Sequence, residues 1–201
     1  MESDNIKSQL ASDLLVFVVG KSGSGKDTIM RLASNNLFEK QIPVNIVQRY
    51  ITRPSDETEN SLYISETQFL QKKAKNEFAL SWYVYNNWYG CPRMTLEEPL
   101  QRGEIVLVNV SRSILYEARK KYPQSKIILI EVENKVAETR LKVRGRENTS
   151  LLHERINRMH EKIDIPLPDI VIHNNGDLNA AVHEMSEYLE KIYQSTKKID
   201  C

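Results

Sequence analysis

The apolar run Leu14-Leu15-Val16-Phe17-Val18-Val19 leads straight into Gly20-Lys21-Ser22-Gly23-Ser24-Gly25-Lys26-Asp27, and Thr28-Ile29-Met30-Arg31-Leu32-Ala33 follows with a helix-compatible composition. A strand, a glycine-rich loop and a helix in that order leave few choices of fold. The glycines let the backbone curl until consecutive N–H groups converge on phosphate oxygens, and the helix behind them adds its positive dipole end. Lys26 brings a full charge to the β- and γ-phosphates. The loop therefore predicts a nucleoside triphosphate site built from Gly20, Lys21, Ser22, Gly23, Ser24, Gly25, Lys26, Asp27 and Thr28. One position departs from the usual pattern: where Ser or Thr follows the lysine, this chain has Asp27 and then Thr28.

Beyond the loop, strands and helices alternate. Strands are predicted over 14–19, 44–48, 104–110, 126–132 and 169–173, the run Glu104 to Val110 being apolar enough for a parallel strand covered on both faces. Helices are predicted from Thr28 to near Asn36 or a few residues later, then over 66–76, 92–101, 113–121, 135–143 and 150–163, with a further short one at 6–11. A final helix carries Leu178, Val182, Met185, Leu189 and Ile192 as one apolar stripe. Residues 52–60 read as loop, and the aromatic-rich stretch 78–89 as strands of a small element covering the substrate. This alternation predicts an α/β fold with a parallel sheet flanked by helices, and the loop marks it as a P-loop NTPase. Residues 1–13 form a polar lead-in and 14–195 a single domain, with a substrate-binding insertion over about 50–92; 196–201 are a tail.

The chain has 201 residues, 40% hydrophobic and 27% charged, which suits one globular domain. A formal net charge of +1 gives no bulk attraction to nucleic acid, so phosphate chemistry must come from locally placed basic residues. Cys91 and Cys201 make no disulfide framework and no zinc spacing. No apolar stretch reaches membrane-spanning length and the N-terminus is polar, so a cytoplasmic protein is expected. A monomer and a homodimer are equally compatible with the sequence.

Arg49-Tyr50-Ile51-Thr52-Arg53, Ala79-Leu80-Ser81-Trp82, Tyr89-Gly90, Val106-Leu107-Val108-Asn109 with Ser111-Arg112, Arg144-Gly145-Arg146-Glu147-Asn148 and Asn174-Asn175-Gly176 follow the loop in order. With it they resemble the guanylate-kinase-like branch of nucleoside monophosphate kinases, and within it the ribose 1,5-bisphosphate phosphokinases, over most of residues 14–180. A lysine-aspartate loop ending is itself a feature of that phosphokinase family. The resemblance implies a nucleoside monophosphate kinase-like architecture with small substrate-binding and lid elements, the lid over about 140–155, with ATP and Mg²⁺ as cofactors, a small sugar phosphate as substrate, and phosphoribosyl pyrophosphate as product. It implies a catalytic set of Lys26, Asp27, Arg140 and Arg144, with Arg146 and Arg155 also in the lid, and a nucleotide contact at Asn174. Asp27 is the expected metal contact, with Thr28 as the rival hydroxyl. Arg49, Arg53 and Tyr89 are expected to grip substrate phosphate. Asn109, Ser111 and Arg112, at the carboxyl end of a strand where open α/β sheets bind ligands, are expected to contact the sugar or its phosphates.

Departures from guanylate kinases point to the acceptor. Leu80 aligns with the guanine-reading glutamate, Cys91-Pro92 replaces the hydroxyl pair after Tyr-Gly, Arg49 replaces a serine, and a second phosphate-binding arginine falls near Asp56. A buried base edge needs polar partners, and these positions have lost them. Two alternatives stay open: a guanylate or other nucleoside monophosphate kinase, and a kinase-like binding module without catalysis. His153, His160, His173 and His183 have no evident catalytic setting, and Trp82 and Trp88 are read as packing residues.

Overall fold

A computed structural model describes residues 12–54, 60–144, 156–157 and 163–199. In chain order the strands are β1 (Leu15–Gly20), β2 (Val44–Ile46), β3 (Arg49–Ile51), β4 (Ser61–Tyr63), β5 (Phe78–Val84), β6 (Asn87–Pro92), β7 (Ile105–Asn109), β8 (Lys126–Glu131) and β9 (Ile170–His173). The helices are α1 (Lys26–Glu39), α2 (Glu66–Ala74), α3 (Arg93–Gln101), α4 (Leu115–Lys121), α5 (Asn134–Arg144) and α6 (Leu178–Ile199). Short 3₁₀ turns occupy Ser12–Leu14 and Arg112–Ile114.

Strand β1 lies at the centre of a five-stranded sheet in the order β2-β7-β1-β8-β9, with every pair parallel. Its position follows from composition: Leu15 to Val19 have no exposed surface, as a strand covered on both faces requires. The sheet is flanked by helices. On α6, Val182, Met185 and Leu189 are buried, with Leu178 and Ile192 packed against the same core, so the apolar stripe is core. Asn36 Nδ2 on α1 donates to Ser186 Oγ on α6 at 3.3 Å, and Lys40 pairs with Glu190 at 2.5 Å.

A second, four-stranded sheet in the order β4-β3-β6-β5 forms the insertion. Its β3–β4 pair is parallel and the other two pairs are antiparallel. β3 and β4 flank the predicted loop 52–60 and are not among the predicted strands, because each is defined by its pairing across that loop and not by its own pattern. The predicted strand 44–48 is shortened to Val44–Ile46; Val47 N still donates to Leu107 O, and just beyond the predicted end Arg49 N donates to Asn60 O and opens the other sheet. The predicted helix over 113–121 opens as a 3₁₀ turn capped by Ser111, whose Oγ accepts from Ser113 N. The first helix extends beyond Asn36 to Glu39. The predicted short helix 6–11, Asp56, Arg146, Arg155, His153, His160 and nearly all of the helix 150–163 lie outside the described residues.

Helix α2 starts with a capping box, Ser65 with Gln68, and is held to this sheet by Phe69 on its inner face. Phe69 is fully buried and stacks on Phe78 at 4.5 Å and on Trp88 at 5.6 Å between ring centroids. Removing that ring leaves a cavity the two stacked partners cannot close. Phe69→Ala is expected to cost about 3–5 kcal/mol in urea unfolding; a loss below about 1 kcal/mol would show that the insertion does not depend on this stack.

Candidate active site

The loop between β1 and α1 is braced from outside by three other segments. A side-chain carbon at Gly20 would come within 2.4 Å of the Ile130 carbonyl on β8, which only glycine avoids. Gly25, the residue before α1, has φ +85°, and a side-chain carbon there would meet Asn174 Nδ2 at 2.6 Å. Asn174 is buried behind the loop: its Nδ2 donates to Ser24 O at 2.8 Å, and its backbone N donates to Glu131 O at 2.8 Å. Its own carbonyl accepts from Arg140 Nη1 at 3.0 Å. Helix α5 closes the third side, with Ala137 against Gly23 and Asn134 Oδ1 accepting from Lys21 Nζ at 2.5 Å.

Inside the loop, Lys26 Nζ donates to the carbonyls of Gly20 at 2.9 Å and Lys21 at 3.0 Å and to Ser24 Oγ at 3.3 Å. The ammonium is thus centred on the curl. Asp27, on the first turn of α1, accepts from Asn109 Nδ2 at 2.8 Å. The Asn109 carbonyl in turn accepts from Arg49 Nη1 at 3.1 Å. Arg49 is buried, with its guanidinium 5.9 Å from the centre of the Tyr89 ring. A continuous chain of hydrogen bonds therefore runs from the phosphate loop to the second sheet.

One open cleft gathers most of the residues singled out from sequence. Gly20, Lys21, Ser22, Gly23, Gly25, Lys26 and Asp27 line one side; Arg49, Arg53 and Tyr89 line another; Asn109, Ser111 and Arg112 close the end of β7. Ser24 and Asn174 are buried outside it, and Thr28 is half-buried and does not line it. Arg140 stands on α5 away from the cleft wall, holding Asn174; the Arg144 backbone ends α5, and its side chain lies outside the described residues. Among the described residues, five basic residues (Lys21, Lys26, Arg49, Arg53, Arg112) line the cleft against one acidic residue, Asp27. That excess is what a polyanionic ligand requires, although the whole chain carries only +1.

Trp82, Val84 and Tyr85 also line the cleft. Trp82 is a packing residue, lying 5.6 Å from Tyr89 with the rings nearly parallel at 4°, and its edge forms cleft wall as well. The alternation of β5 could have revealed this, since Leu80, Trp82 and Val84 share one face. Tyr85 carried no such signal: it sits in the β5–β6 turn with φ +50°, and its carbonyl accepts from Asn87 Nδ2. Leu80 and Cys91 are directly paired across β5 and β6, and both are buried. Burial pushes the Cys91 thiol up to about 12, so it is neutral and inert at physiological pH. The described histidines stand apart: His173 and His183 are exposed, beside Glu131 and Glu187.

Among the described residues no three His, Cys, Asp or Glu side chains gather into a metal cage. A cleft with one carboxylate and room for phosphate oxygens fits Mg²⁺, which keeps several waters and binds through one or two carboxylates plus substrate phosphates. Of the two sequence candidates, Asp27 lines the cleft and Thr28 does not. Replacing Gly25 by alanine puts a carbon into Asn174 and forces a side chain into the left-handed region, at a cost of about 1–3 kcal/mol. Gly25→Ala is expected to weaken binding of the nucleoside triphosphate that the loop predicts by about 5- to 150-fold in calorimetry, since 1.4 kcal/mol is a factor of ten; unchanged affinity would show that the loop does not need this contact. In a Cys201→Ser variant, Cys91 is expected to stay unmodified by a thiol reagent at pH 8 until denaturant is added.

The sequence profile of the guanylate kinase family matches residues 12–192. A curated relative from Achromobacter xylosoxidans, named ribose 1,5-bisphosphate phosphokinase PhnN, is 35% identical over 76% of this chain and 79% of its own. One of the same name from Brucella melitensis is 33% identical over 90% of this chain and 94% of its own. Among solved structures, the guanylate kinase from Anaplasma phagocytophilum superposes with a TM-score of 0.62, covering 88% of this chain and 85% of its own at 18% identity, a likeness of fold. The fold, the glycine-lysine loop and the long matches agree: the chain belongs to the guanylate kinase family of P-loop kinases, among relatives named ribose 1,5-bisphosphate phosphokinases.

Proposed function

We propose that the protein transfers the γ-phosphoryl group of ATP to the anomeric phosphate of ribose 1,5-bisphosphate, giving 5-phosphoribosyl 1-pyrophosphate and ADP. The observation that carries this reading is the make-up of the acceptor side of the cleft. Arg49, Arg53 and Arg112 stand there beside Tyr89, Trp82 and Val84, with Leu80 and Cys91 buried where a guanine edge would need polar partners. Three guanidinium groups suit an acceptor with two phosphates, since each planar fork can hold phosphate oxygens bidentately. With apolar residues at Leu80 and Cys91, a base edge finds no hydrogen-bonding partners at those positions. The names of the curated relatives point the same way.

Phosphoryl transfer asks the protein to position reactants and to stabilise spreading negative charge. An oxygen of the anomeric phosphate bonds to the γ-phosphorus while the bond from that phosphorus to the β,γ-bridging oxygen breaks, its electron pair leaving on ADP. A phosphate monoester loses its second proton near pH 6, so the attacking oxygen is already ionised and no base has to remove a proton. Lys26 exchanges a carbonyl contact within the loop for the β- and γ-phosphate oxygens. Arg49, held by the Asn109 carbonyl, keeps its direction without substrate and so orients the acceptor with little reorganisation. Asp27 would hold Mg²⁺ directly or through water, and the ion when bound neutralises charge on the phosphates. Arg140 acts from behind the loop, through the Asn174 carbonyl that it holds. The setting is cytoplasmic, with ATP and a small sugar phosphate as the partners.

With ATP and Mg²⁺, ribose 1,5-bisphosphate is expected to be turned over with a kcat/KM at least about 100-fold above that for GMP, the range set by unpaired polar groups. Phosphorus NMR should identify the product pyrophosphate. Equal or faster phosphorylation of GMP would overturn the acceptor assignment, and ATP binding without turnover of either would favour a binding module. Lys26→Ala is expected to lower kcat by about 10²–10³-fold, the usual loss of one preorganised charge donor.

A further inference from the structure

In P-loop enzymes of the usual pattern, the metal is held by the Ser or Thr after the loop lysine together with an aspartate on a neighbouring strand. Here the two chemistries have changed places. The loop carries the carboxylate, Asp27, and the neighbouring strand ends in an amide, Asn109. Strand β7 pairs in parallel with β1, with Asn109 opposite Val18, so residue 109 emerges beside the start of the loop. The two side chains meet at 2.8 Å, Asn109 Nδ2 donating to Asp27 Oδ1. At that distance two carboxylates would repel strongly, whereas an amide donor orients the one carboxylate and satisfies one of its lone pairs.

We infer that Asp27 and Asn109 form an interchanged pair: Asp27 carries the metal-binding charge, and Asn109 is a positioning residue that aims it. Asn109 is 9% exposed, so its amide is held by surrounding structure and does not wander. Its carbonyl fixes Arg49 at 3.1 Å, so the same residue ties the metal carboxylate to the guanidinium on the acceptor side. This assigns Asn109 a different task from contacting sugar, and it explains why an aspartate in the loop comes with an asparagine on the strand. The inference rests on the ATP-dependent reading above, but it concerns the metal and not the acceptor.

The test is calorimetric binding of a non-hydrolysable ATP analogue to the full chain, with Mg²⁺ and with EDTA, needing no acceptor and no turnover. The wild type is expected to bind more tightly with Mg²⁺. Asp27→Ser should abolish most of that gain, and Asn109→Ala should reduce it severalfold while affinity in EDTA changes less than about twofold. The deciding variant is the double exchange Asp27→Ser with Asn109→Asp, which should recover most of the gain. A double variant no better than Asp27→Ser, or an Asn109→Ala variant with the full gain, overturns the inference. Should Asn109→Ala not fold, as its melting curve would show, the other two variants still decide. Wild type that binds the analogue equally with and without Mg²⁺ overturns the pair's role alone, whereas wild type that binds no analogue overturns the kinase reading as well.

Discussion

The phosphate loop keeps its shape because its outer side is pressed against backbone. Gly20 meets the carbonyl of Ile130, Gly23 meets that of Ala137, and the Ser24 carbonyl is held by the buried amide of Asn174. None of these partners is near the loop in sequence. They arrive from β8, α5 and the end of β9, so the sheet order β1-β8-β9 is what delivers them. A loop clamped on its outside can present its inner face without rearranging when charge develops, which is the condition for effective electrostatic stabilisation. Arg140 takes part indirectly, since its guanidinium supports the Asn174 carbonyl.

Charge is the second organising quantity. A chain with a net charge of +1 places, among the described residues, five basic residues and one acidic one around one cleft. Burying Arg49 costs free energy unless its hydrogen bonds are met, and the Asn109 carbonyl and the Tyr89 ring meet part of that demand. The same asparagine faces Asp27 with its amide. One residue thus serves a cation with its backbone and an anion with its side chain. This is possible because, in a strand, the carbonyl lies in the plane of the sheet and the side chain stands out of it, so the two reach different partners.

How much was legible before the structure depended on the length scale of each signal. The strand, loop and helix around Gly20 to Lys26 form one contiguous segment, and the central strands are runs of β-branched residues, so both were plain. β3 and β4 were not, because three-residue strands are defined only by their partners, Arg49 opposite Ser61 and Tyr50 opposite Gly90. The cleft residues Lys21, Arg49, Arg53, Tyr89 and Arg112 were recognisable by type and motif. Tyr85 was not, since its place in the wall depends on a tight turn with positive φ at both Tyr85 and Asn86.

Sequence alone determined the parallel α/β class and the phosphate loop, because each is a property of residue type within a short segment. Tertiary structure decided what those residues do to one another. Asn174 turned out to stand behind the loop, Asp27 and not Thr28 to face the cleft, and Asn109 to link Asp27 with Arg49. These pairings join positions far apart in the chain, and hydrogen bonds act over about 3 Å. Local pattern carries no information at that range until the sheet has brought the strand ends together.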